Sequence, residues 1–83
     1  MPPVFLSKRA RKFVEKLPGV EKKRCADALR ILSNDPLRGE VLLGEFRGLR
    51  RYWVGVLRII YRLEKKPERI LIMAIGHRRE IYR

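Results

Sequence analysis

The stretch from Arg51 to Tyr61, R-Y-W-V-G-V-L-R-I-I-Y, leaves this chain few ways to fold. Two runs rich in aromatic and aliphatic residues meet at a single glycine, which reads as two β-strands joined by a tight turn. Gly55 marks the turn, because a residue without Cβ takes positive φ at little cost. Side chains on a strand alternate between faces. Leu57, Ile59, Tyr61 and Leu63 therefore share one face of the second strand, and Arg58, Ile60 and Arg62 share the other. On the first strand, Arg51 and Trp53 share a face. One side of this hairpin suits a core, and the other offers guanidinium groups to an anion.

The rest of the chain supplies what the hairpin must pack against. Val4–Leu6 reads as a short strand after two prolines. Ser7 suits an N-cap for a helix from Lys8 to about Leu17, with Ala10, Phe13, Val14 and Leu17 on one stripe. Pro18-Gly19 breaks it. A second helix runs from about Val20 to Ser33, with Cys25, Ala28, Leu29 and Leu32 facing inward, until Asn34-Asp35-Pro36 ends it. Leu37–Phe46 is an irregular connection. Strands follow at about Arg50–Val54, Val56–Glu64 and Arg69–Ile75, the last two joined through Lys65-Lys66-Pro67-Glu68. The run Ile70–Ile75 is apolar throughout and is expected to be the most buried strand. The order β-α-α-β-β-β predicts an α+β fold: an antiparallel-rich four-stranded sheet with an N-terminal helical hairpin packed on one face. At 83 residues the chain makes a single domain with one modest core.

Charge narrows the function. Lys and Arg number 21 against 9 Asp and Glu, a net charge of +12. Such an excess points to a polyanion, whether nucleic acid, ribosome, acidic membrane or acidic protein, beyond what a merely soluble surface requires. One cysteine, Cys25, excludes an intrachain disulfide and fits the inner stripe as a small core residue. No Cys/His cluster has zinc-ligand spacing, so no metal and no cofactor is expected. No secretory signal or membrane-spanning run is visible, and the cytoplasm is the default location.

Two motifs stand together: R-Y-x-V-G-x-x-R-x-x-Y from Arg51 to Tyr61, and G-H-R-x-x-x-Y from Gly76 to Tyr82. With S-K-R-A near the start and L-P after the first helix, the chain resembles the RelE/ParE toxin superfamily of toxin–antitoxin modules from Leu6 to Tyr82. The resemblance implies one of two activities. RelE-like members enter the ribosomal A site and cut mRNA without metal, arresting translation. ParE-like members inhibit DNA gyrase instead. A degenerate toxin that keeps only antitoxin binding is a further alternative. For each, the resemblance implies an acidic, RelB-like antitoxin encoded beside the toxin; for the first it adds the ribosome and mRNA.

The resemblance also implies site residues. Arg58, Arg78 and Tyr82 stand where RelE-like members have two guanidinium groups and a tyrosine, and Arg47 in F-R-G matches an arginine before the second strand. Arg51 and Trp53 match two lysines of certain RelE members. Together with Arg79 they form the expected RNA contacts. The chain departs from the commoner pattern at Trp53, Val56 and Leu57, where relatives carry arginine, an acidic residue and an aromatic one.

Metal-free RNA cleavage needs a base for the 2′-OH, positive charge for the crowded transition state and an acid for the leaving 5′-oxygen. Arg58 and Arg78 suit the middle role, since guanidinium groups stay charged and grip phosphate with two hydrogen bonds. His77, the single histidine, suits base or acid, or else only hydrogen-bonds a strand end. Tyr82 orients a nucleotide, stacks, donates a proton or simply packs. Trp53 is either core or, if exposed, a stacking platform for an unpaired base. Tyr61 belongs to the core face.

Overall fold

The structure is a computed structural model and describes residues 2–77. Strand β1 (Val4–Leu6) leads into helix α1 (Lys8–Glu15) and helix α2 (Gly19–Asn34); β2 (Glu40–Val41), β3 (Arg50–Val54), β4 (Leu57–Lys65) and β5 (Glu68–His77) follow. They form one five-stranded sheet in the order β1-β5-β4-β3-β2, antiparallel except where β1 runs parallel to β5. The α+β layout is as expected. The fifth strand is the difference: Glu40 and Val41, two residues inside the expected irregular connection, pair with Arg51 and Arg50.

Helix α1 begins where Ser7 supplies its side-chain oxygen to the Ala10 backbone N–H, satisfying a donor that the helix itself cannot. The same hydroxyl donates to the Met73 carbonyl at 2.8 Å. That carbonyl lies at a bulge. Ile60 pairs with Ala74 and Tyr61 with Ile72, so Met73 is an extra residue in β5. A bulge shifts the alternation by one. Ile70 and Ile72 face the core before it and Ile75 after it, so β5 is buried at these positions and at Gly76 rather than along its length.

The core lies between the helices and one sheet face. Ala10, Cys25, Ala28 and Leu32 meet Leu57, Ile59, Tyr61, Ile70, Ile72 and Ile75, with Phe13, Val14, Leu29, Tyr52 and Leu63 packed at its margin. Burial pushes the Cys25 thiol pKa up, with the Glu21 charge adding to it, which fits a packing role. The β3–β4 turn has positive φ at Gly55 and not at Val56, the pattern of a type II′ hairpin.

Candidate nucleic-acid interface

The sheet face turned away from the helices carries the hairpin's charged residues. Register places Trp53 opposite Arg58 and Arg51 opposite Ile60, and side chains directly opposite each other lie on one face. The Arg58 guanidinium lies over the Trp53 indole, 4.4 Å from the ring centroid, and Arg51 approaches the same ring at 5.5 Å. Trp53 is 38% exposed. The indole is thus neither core nor bare: it is a surface ring carrying cations, an arrangement stabilised by the ring quadrupole. Both arginines come from sheet strands, which restrict where their charges can sit.

A carboxylate completes this group. Glu40 accepts from Arg51 Nη2 at 3.1 Å through one oxygen and from Trp53 Nε1 at 3.2 Å through the other. The Arg51 hydrogen bond and charge, then the indole hydrogen bond, hold its pKa below the usual value, with a further contribution from the Arg58 charge. Glu40 therefore holds its charge to lower pH than an unpartnered glutamate does. Across the strand, Arg51 reaches β2 in its direct pairing partner, and Trp53 reaches the same carboxylate from two residues on.

The model of the ParE toxin of type II toxin–antitoxin systems (parDE) matches residues 4–82. The chain belongs to this family, within the RelE/ParE toxin superfamily. In the crystal structure of the toxin–antitoxin complex RelBE2 from Mycobacterium tuberculosis, one chain is 30% identical to this toxin, with a TM-score of 0.84, covering 94% of this chain and 100% of that one. A chain of the archaeal RelE–RelB complex from Pyrococcus horikoshii is 26% identical, with a TM-score of 0.77 and 95% and 97% coverage. The isolated RelE toxin of E. coli, 17% identical, shares the fold at a TM-score of 0.82 over 99% of this chain and 92% of that one. None of the curated proteins compared with the toxin matches it. Among its described residues, no helix is long and apolar enough to cross a membrane.

Of the residues expected at the toxin's site, the structure brings Arg58, Arg51 and Trp53 together. Arg47 stands exposed at the end of a single 3-10 turn, Gly44–Phe46, ahead of β3. His77 is placed elsewhere. It pairs with Leu57, a core residue, and its ring meets Phe13 of α1 edge-on, centroids 6.0 Å apart. Arg58 pairs with Gly76 and points to the other side. The two are thus one residue apart in register and on opposite faces of the sheet. Arg78, Arg79 and Tyr82 lie outside the described residues.

Glu40 is the participant that sequence reasoning missed. Its position is fixed from below. The Tyr61 hydroxyl, on a fully buried ring, donates to the Pro36 carbonyl at 2.8 Å and accepts from the Gly39 N–H at 2.9 Å. Arg50 Nη1 donates to the carbonyls of Gly39 at 2.9 Å and Leu37 at 3.3 Å. A Cβ at Gly39 would fall 2.5 Å from the Tyr61 oxygen and 2.8 Å from the Arg51 carbonyl, so only glycine lets the loop run this close. The motif G-E before the β3 arginines was the available signal. Its meaning depends on a loop folding back onto a strand eleven residues later.

A second charged group lies farther along the same face, where Glu64 bridges Arg62 and Arg69 and Arg69 lies 5.7 Å from the Phe5 ring centroid. Here the arginines share one carboxylate at the hairpin's far end, away from Trp53.

Proposed function

We propose that the toxin acts as a RelE-like endoribonuclease that cuts mRNA in the ribosomal A site without metal and so arrests translation. The observation carrying this reading is Arg58: a guanidinium on an interior strand, laid on the Trp53 ring at 4.4 Å beside Arg51. The net charge of +12 and the likeness to the RelE chain of RelBE2 support it.

The reaction begins as a base takes the proton of the ribose 2′-OH, whose oxygen then attacks the adjacent phosphorus. The P–O5′ bond breaks as an acid protonates the leaving 5′-oxygen, giving a 2′,3′-cyclic phosphate and a 5′-hydroxyl. Negative charge builds on the phosphoryl oxygens in between. In this proposal Arg58 meets that charge, since a preorganised guanidinium is most valuable where charge develops. Arg78 supplies the second guanidinium, and Tyr82 orients the nucleotide, as the resemblance implies. Trp53, Arg47 and Arg79 hold RNA, and Arg51, paired with Glu40, flanks the Trp53 ring. His77, turned toward Phe13, is given no step.

The proposed partner is an acidic antitoxin, as RelB accompanies RelE in the M. tuberculosis and P. horikoshii complexes. Its binding should weaken with salt. The test is mRNA cleavage on ribosomes with a vacant A site, using antitoxin-free protein and Arg58→Ala. Loss of a well-aimed charge is expected to lower the rate about 10²–10³-fold. No cleavage by folded wild-type protein would overturn the reading.

The family match itself favours a second reading, inhibition of DNA gyrase in the ParE manner. Suppressed supercoiling in a gyrase assay, with mRNA left intact, would select it.

A further inference from the structure

The Glu40 carboxylate is an anion on a face that the charge excess dedicates to anions. Its three neighbours explain what it does there. Arg51 has a side chain only 23% exposed, so its guanidinium cannot swing freely into solvent. Trp53 has one ring nitrogen, a donor with no other role, and Glu40 engages it. Arg58 then lies on the ring so fixed. The carboxylate itself cannot drift, because Tyr61 and Arg50 hold the loop that carries it.

Exposed ion pairs in general contribute little, and Glu40 is more than half exposed. This one differs in geometry. The two oxygens are divided between two donors on one strand, and the backbone behind the carboxylate is bonded at Pro36, Leu37 and Gly39. The indole N–H also removes a rotational freedom that an ion pair alone would leave.

We infer that Glu40 is a positioning residue that sets how this face reads nucleic acid: by holding the Arg51 guanidinium and the Trp53 N–H together, it withdraws Arg51 from general phosphate binding and fixes the ring on which Arg58 is carried. The inference rests on the nucleic-acid reading of the face given above, though not on cleavage. It has an unusual corollary. Removing this negative charge makes the toxin a better nonspecific binder of single-stranded RNA and a poorer cutter. With the competing carboxylate charge gone, Arg51 becomes an additional phosphate contact, while the loosened indole shifts the ring on which Arg58 lies.

The test compares wild type, Glu40→Gln, Arg51→Gln and the double variant as full chains. Binding of a uridine hexanucleotide is followed across salt concentration. One added phosphate contact steepens the slope of log affinity against log salt by about 0.7 for a single strand, which is the change expected in Glu40→Gln. In the Arg51→Gln background the same substitution should leave the slope where it was. The indole N–H proton resonance, unique because the chain has one tryptophan, should shift in Glu40→Gln of the free protein. Ribosome-dependent cleavage should fall at least tenfold in kcat.

An unchanged slope overturns the inference. So does an equal steepening with and without Arg51, which would mean that net charge alone is at work, and so does a failure of either protein to bind the hexanucleotide. If wild type cuts nothing but the slopes behave as expected, the endoribonuclease reading falls and the role of Glu40 stands.

Discussion

Replacing Tyr61 by Phe tests how the core reaches the charged face. The ring is fully buried, and its hydroxyl makes two bonds, to Gly39 N–H and the Pro36 carbonyl. Burial pushes the hydroxyl pKa above its usual value, while the Gly39 N–H acts in the opposite direction, so it remains a donor at any ordinary pH. Phe keeps the packing and deletes both bonds. An unsatisfied buried polar group costs about 1–3 kcal/mol. Gly39 is buried and bears that cost in full; Pro36 is only half-buried and recovers part of it from water. The sum is about 2–4 kcal/mol, a large share of the roughly 5–15 kcal/mol of a typical domain. Urea unfolding should show a lower midpoint with an unchanged m-value, and Tm should fall on the order of 10–30 °C for a chain of this size. Because Glu40 follows Gly39 directly, the Trp53 emission spectrum should change as well. A stability loss under about 0.5 kcal/mol, with the spectrum unaltered, would refute the view that this hydroxyl holds the loop.

His77→Ala should leave ribosome-dependent cleavage within about threefold of wild type while lowering stability by about 0.5–1.5 kcal/mol, the worth of an aromatic pair; a rate loss of the size expected for Arg58→Ala would return His77 to the chemistry. Acid unfolding should engage Glu64, whose pKa the Arg69 hydrogen bond holds below its ordinary 4.5, with further lowering from the Arg69 charge and from Arg62. Its unfolded form binds a proton first as pH falls, so the contribution is present above that value and disappears as pH drops through the folded-state pKa. Urea midpoints of Glu64→Gln should therefore decline less steeply through this acid range than those of wild type, and equal slopes would sink the assignment.

Much of the hairpin was legible because alternation alone decides it. Leu57, Ile59, Tyr61 and Leu63 meet the core as their spacing requires, and Gly55 takes the positive φ that its place between the strands demands. Ser7, Pro18 and Pro36 delimit the helices to within two residues for reasons of backbone chemistry. In β5 the same logic failed, since Ile70–Ile75 is apolar at every position and carries no sign of its bulge. Strict alternation from Ile70 would have put His77 on the side of Arg58. The extra residue at Met73 turns it to the helices. Strand β2 was illegible for a different reason: two residues carry no period. Glu40 followed it into obscurity, because what a carboxylate does there depends on the loop that returns it to β3. The family likeness, by contrast, was carried by spaced residues that need no geometry to be recognised.

The Ser7–Met73 bond and the parallel pairing of β1 with β5 also have a meaning in time. The ribosome makes β5 last among the described strands, yet it lies inside the sheet, between the first strand and the fourth. Until it emerges, Val4–Leu6 has no neighbour to pair with, the start of α1 lacks its anchor at Met73, and the core lacks Ile70, Ile72 and Ile75. A chain stalled before Glu68 therefore cannot close its hydrophobic interior, and long-range closure of this kind is the slow part of folding. The cell that synthesises this protein meets its native form only after translation of β5 is finished, so an interrupted message yields fragments that lack the toxin's framework.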